Sequence, residues 1–74
     1  MWSLKAKISQ EGEIEVQVNN TATVLLPKEE PVFEIDGETI EFAVEGDYLY
    51  AITNAKVIFI YDEETGTLEI EEVE

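Results

Sequence analysis

The chain has no cysteine, histidine or arginine, and its only basic side chains are four lysines. Each absence removes a chemistry. Without cysteine there is neither a disulfide staple nor a thiolate metal site, and cysteine usage says nothing of a redox compartment. Without histidine or cysteine there is no imidazole base, thiolate nucleophile or zinc constellation, and the hydroxyls of Ser3 and Ser9 have no base partner. Lys5, Lys7, Lys28 and Lys56 are too few and too scattered to neutralise a phosphate backbone, so nucleic acid is not an expected partner. Long apolar runs are missing too. The uninterrupted stretch from Val57 to Tyr61 falls far short of the roughly 18 to 20 residues that cross a bilayer, and nothing reads as a signal peptide. A soluble protein with no membrane partner is expected.

Carboxylates are what the chain has in excess. Eighteen Asp and Glu against four Lys give a formal net charge of −14 over 74 residues. That balance favours solubility, opposes anionic surfaces and costs compactness through self-repulsion. Paired carboxylates could act as acid and base on a glycoside, but such work needs an aromatic-lined cleft, and here they fall mostly on outward strand positions. No catalytic residues are assigned and no enzyme is expected. The acidic turn Asp62-Glu63-Glu64-Thr65-Gly66 lacks the twelve-residue length and ligand spacing of a calcium loop, and reads as a hairpin turn. No glycine-rich phosphate loop exists, so neither a metal nor a cofactor is expected. Asn19-Asn20-Thr21 fits a glycosylation sequon, which has meaning only in a secreted eukaryotic chain.

Length allows one domain, residues 1–74, and a chain this small buries only about 60% of the surface its unfolded form exposes. Its order is strand after strand. Trp2, Leu4, Ala6 and Ile8 alternate with Ser3, Lys5, Lys7 and Ser9, the period of two that buries one face. Ile14, Val16 and Val18 resume the alternation. A loop at Gln10-Glu11-Gly12 with Gly12 left-handed sets Ile8 opposite Ile14, Ala6 opposite Val16 and Lys7 opposite Glu15. A short strand from Ala22 to Leu26 runs into Pro27-Lys28-Glu29-Glu30-Pro31, which cannot continue a ladder and suits an arch to a second sheet. Asp36-Gly37 is a two-residue hairpin signal that aligns Phe33 with Ile40 and Glu34 with Thr39. Another tight turn falls near Gly46-Asp47.

The stretch Tyr48 to Tyr61, YLYAITNAKVIFIY, is apolar on both parities, unlike a strand with one wet face. A turn at Asn54-Ala55 would make it a hairpin pairing Ile52 with Val57 and Tyr50 with Phe59, with Ala51 opposite Ile58 and Leu49 opposite Ile60 on the other face. The turn ending at Gly66 then returns the chain from Thr67 to Val73, with Tyr61 beside Leu68, Phe59 beside Ile70, and Ile58 and Ile60 opposite Glu71 and Glu69. Leu49, Ala51, Ile58 and Ile60 are thus either covered by other strands or a contact surface for a partner or second copy. About eight short strands joined mainly by tight hairpins predict an antiparallel β-sandwich; a small closed β-barrel is the alternative.

The run Tyr48-Leu49-Tyr50-Ala51-Ile52-Thr53-Asn54 resembles the Y-x-C-x-A-x-N run of immunoglobulin domains, with Tyr50 in place of the cysteine and Ile52 in place of the alanine. That resemblance implies an immunoglobulin-like sandwich and no partner. Across its whole length the chain also resembles de novo designed β-proteins: strict alternation, glutamate at most outward sites, glycine turns at Gly12, Gly37 and Gly66, and a regular hairpin over residues 61–68. This second resemblance implies a structural scaffold without evolved activity, made by recombinant cytoplasmic expression. The alternatives are a binding module that uses the apolar strand face, for a designed partner or as a homodimer, and an acidic mimic of nucleic acid. For the mimic, Glu13 with Glu15 or Glu69 with Glu71 stand about 6.6 Å apart along a strand and span roughly two phosphate steps.

Overall fold

A computed structural model describes residues 1–73. The strands are β1 (Ser3–Ile8), β2 (Ile14–Val18), β3 (Val24–Leu26), β4 (Val32–Ile35), β5 (Glu38–Glu45), β6 (Tyr48–Thr53), β7 (Val57–Asp62) and β8 (Thr67–Glu72). They form two antiparallel sheets, one of five strands in the order β3-β2-β1-β8-β7 and one of three in the order β4-β5-β6. The architecture is a sandwich, and the sheets do not close into a barrel.

Local turn chemistry explains most of the pairing. Gly12 sits at φ 84°, Ser9 and Glu13 close the loop through a 2.7 Å N–H to carbonyl bond, and Ile8 faces Ile14, Ala6 faces Val16 and Lys7 faces Glu15 as the alternation predicts. Asp36 and Gly37 are both left-handed, at φ 49° and 77°, which is what a type I′ hairpin turn requires. Phe33 accordingly faces Ile40, and Glu34 faces Thr39. At the last hairpin, the Gly66 N–H donates to the Asp62 carbonyl and the Glu64 N–H donates to the Asp62 carboxylate, so that carboxylate holds the turn. The register there sets Tyr61 against Leu68, Phe59 against Ile70, Ile60 against Glu69 and Ile58 against Glu71.

One pairing expectation is overturned. Residues 48–61 do not form a hairpin: β6 pairs with β5 in the smaller sheet, and β7 pairs with β8 in the larger. Asn54-Ala55 is a crossing between layers, the second in the chain after the proline-bracketed one. The reason is conformational. A two-residue hairpin turn needs a left-handed backbone, and neither Asn54 nor Ala55 adopts one. Thr53 instead ends β6, its hydroxyl donating to the Thr39 carbonyl at 2.8 Å and accepting the Ala55 N–H at 3.1 Å.

The core lies between the sheets. Leu4, Ala6, Ile14, Val16, Leu26, Leu68 and Ile70 of the larger sheet meet Ile40, Phe42 and Leu49 of the smaller, with Trp2 closing one end. No charged or polar residue is buried among the described residues. The indole N–H of Trp2 is shut in without an acceptor there, which costs about 1–3 kcal/mol. Burying a ring of this size returns roughly 4–6 kcal/mol, so the residue still stabilises the fold.

Candidate functional site

The four candidate contact residues are not brought together. Leu49 is fully buried and Ala51 half-buried on the inner face of the smaller sheet, where they oppose Val44 and Phe42. Ile58 and Ile60 lie on the outer face of the larger sheet, 52% and 49% exposed. The single patch pictured from a β6–β7 hairpin is therefore corrected into a core pair and an exposed pair. Phe59, between the two isoleucines, is 47% exposed as well and was not among the four.

What these three residues share is an edge. The strand β7 is laddered only to β8, so its other side carries unpaired backbone. The Val73 N–H donates to the Lys56 carbonyl, which makes Lys56 and Val73 a bonded pair. Bonded pairs alternate along an antiparallel ladder, so Ile58, Ile60 and Asp62 spend their N–H and C=O groups on β8. The groups of Val57, Phe59 and Tyr61 point the other way.

Natural sheets usually protect such an edge. Here β3 is only three residues long, β4 starts directly after Pro31, and β6 is sealed where Leu49 is buried and tied off at Thr53. By contrast, β7 has six residues with no proline, glycine or lysine inside it. Its only charges are Asp62 at the end and Lys56 just before the start. Tyr48 of β6 packs edge-on against Tyr61 at a centroid distance of 4.7 Å and stacks with Tyr50 at 6.1 Å. With Tyr48 50% and Ile52 60% exposed, this side of the sandwich is unusually apolar for so acidic a molecule.

The carboxylates, by contrast, are dispersed. On the outer face of the larger sheet Lys5 stands between Gln17 and Glu69, and Lys7 opposes Glu15, so lysines interrupt the acidic rows. The Lys7 and Glu15 side chains do not come within ion-pair distance. Among the described residues, the ion pair formed joins the Met1 ammonium to Glu72 at 3.6 Å. Surface repulsion is thus largely uncompensated, and raising salt from about 0.02 to 0.5 M is expected to lift the melting temperature by about 5 °C. A flat or falling calorimetric response would contradict that.

Other concave surfaces offer less. A cleft of about 560 Å³ lies between Ile8, Ile14, Phe42 and Val44, with the Lys28 side chain lying over Gly12 at its rim. Among the described residues no group of three or more acidic side chains is arranged to hold a metal ion.

The fold and this site define a class, a two-layer antiparallel β-sandwich with one unguarded apolar edge. Comparison with protein-family models, curated proteins and solved structures finds no match. As for the immunoglobulin-like run, Tyr50 and Ile52 pair with Ala43 and Glu41 on the outer face of the smaller sheet, so the cysteine-equivalent position points away from the core.

Proposed function

We propose that the chain is a binding module that takes an extended partner strand along β7. The observation that carries this reading is Phe59, half-exposed at the middle of a six-residue edge whose outward N–H and C=O groups have no ladder partner. Main-chain bonds to an added strand would supply affinity, and the flanking Ile58 and Ile60 would supply apolar contact. No reacting group is required. The dispersed carboxylates keep the rest of the surface soluble, and because Lys5 and Lys7 interrupt them they give little support to a nucleic-acid mimic, which needs a continuous band.

A second reading, a bare designed scaffold, is favoured by the regularity of the turns, with all four glycines left-handed at the hairpin loops. It predicts an inert β7. The two readings part in a titration followed by amide resonances. A lysine-flanked heptapeptide of alternating valine and threonine should shift residues 57–61 with an affinity of about 0.1–1 mM. Phe59→Pro should abolish the effect while leaving the fold intact, because the lost N–H faces away from β8 and proline is tolerated at such an edge. Shifts centred on β3 or on a sheet face, or undiminished binding by the proline variant, would refute the strand-edge proposal.

A further inference from the structure

The chemistry of β7 is symmetric about its centre. Outward from Phe59 come Ile58 and Ile60, then Val57 and Tyr61, then Lys56 and Asp62: apolar answered by apolar, and at the ends a cation answered by an anion. Both end residues are exposed. A strand with this arrangement is complementary to an antiparallel copy of itself.

Resting on the strand-edge reading above, we infer that the occupant of the β7 edge is β7 of a second copy of this chain, related by a two-fold axis through Phe59. In that register Phe59 faces Phe59 of the second copy, Val57 faces Tyr61 of the second copy, and Ile58 faces Ile60 of the second copy. Lys56 then meets Asp62 of the second copy, twice by symmetry. The result is an isologous, closed interface joining two five-stranded sheets into one.

Backbone parity selects the same register. The outward groups belong to Val57, Phe59 and Tyr61, and pairing about Phe59 matches outward residues only with outward residues. Three bonded pairs follow, about six main-chain hydrogen bonds. A slip of one residue would set outward groups against groups already spent on β8, and would mix the two faces. A slip of two restores the backbone match but breaks both Lys56–Asp62 pairs, and the one opposite charge it can offer Lys56, Glu64, lies in the turn beyond the end of β7. In one direction Lys56 meets Ile60 of the second copy, and in the other it meets Glu64 while Asp62 lands on Ile58.

Net charge does not forbid the association. Behind the seam, the carboxylates of β8 are Glu69, Glu71 and Glu72. Across the seam, β8 of one copy is three strand spacings from β8 of the other, about 14 Å, beyond the screening length of about 8 Å at physiological salt.

Sedimentation equilibrium from about 1 µM to 1 mM at physiological salt tests this, with circular dichroism confirming that each variant is folded. The native chain should form dimers and no larger species. Lys56→Glu and Asp62→Lys should each raise the dissociation constant about tenfold or more by setting like charges opposite each other twice. The double variant K56E/D62K should recover the native constant within about threefold, although it too lacks the Asp62 carboxylate in its turn. Residues 56 and 62 of one chain lie at opposite ends of β7, about 20 Å apart, so recovery must come from the second copy.

Unchanged dimerisation in both single variants would overturn the register and the seam. Open-ended assembly would overturn the two-fold pair. A native chain that stays monomeric while the heptapeptide still shifts residues 57–61 would overturn self-pairing and leave the strand-edge reading standing; a monomer that ignores the peptide would remove both.

Discussion

Leu49→Ala is expected to lower the unfolding free energy by about 2–5 kcal/mol, while Ile60→Ala lowers it by less than about 1 kcal/mol. The contrast follows from where the two apolar strands go. In a β6–β7 hairpin, Leu49 and Ile60 would be direct neighbours on one face and would cost alike. With β6 and β7 in different sheets, Leu49 is fully buried in the core it shares with Phe42 and Ile70, whereas Ile60 is half in water beside Glu69. A domain of this size has only about 4–11 kcal/mol to lose, so the alanine at 49 brings it close to its limit. Urea denaturation of the two variants would read the difference as a shift of the midpoint. Equal losses would mean that the two strands share an environment, and the crossing at Asn54-Ala55 would have to be abandoned.

Much of the fold is legible in the chain because its rules are local. The alternation from Trp2 to Ile8 and from Ile14 to Val18 assigns the inner face without knowledge of any neighbour, and Trp2, Leu4, Ala6, Ile14 and Val16 are buried. Gly12, Asp36-Gly37 and Gly66 each fix a hairpin register, because the backbone conformation they adopt leaves one alignment of the following strand. Pro27 and Pro31 forbid a ladder and so mark the first crossing between sheets.

What was not legible depends on partners distant along the chain. Nothing in Ser3 to Ile8 says that this strand also pairs with Thr67 to Glu72, yet that pairing leaves β7 at the sheet's margin. The candidate site is hidden from the sequence for the same reason. Apolar character on both parities signals that a segment lacks a wet face, but not whether its two halves cover each other or leave for different layers. Asn54-Ala55 carries the available clue: Asn54 tolerates left-handed backbone but Ala55 does not, and a type I′ turn needs it at both central positions, so the pair is a poor hairpin turn for setting Leu49 against Ile60. Phe59 escaped notice because edge position belongs to the topology and not to the residue.

Val16→Asp is expected to unfold the domain at neutral pH, while Ile52→Asp changes its stability by less than about 1 kcal/mol. Val16 has no exposure, lying in β2 with Ala6 on one side and Val24 on the other. A carboxylate there must either remain ionised in an apolar layer or take up a proton far from its ordinary range. No cation is placed to relieve it, since Lys5 and Lys7 project from the opposite face of the same sheet. An unpaired buried charge costs about 3–5 kcal/mol, comparable with everything that holds a 74-residue domain together. Val16→Thr separates polarity from charge: its hydroxyl should cost about 1–3 kcal/mol and leave a folded, weakened protein. Ile52 belongs to an equally apolar run but is 60% exposed on an outer face, so the same carboxylate stays in water. Far-ultraviolet circular dichroism and thermal melts of the three variants would rank them Ile52→Asp, Val16→Thr, Val16→Asp in falling stability. A Val16→Asp protein that melts like the parent would mean that water reaches the space between the sheets, and the dry two-layer core that sets β7 at the margin would no longer hold.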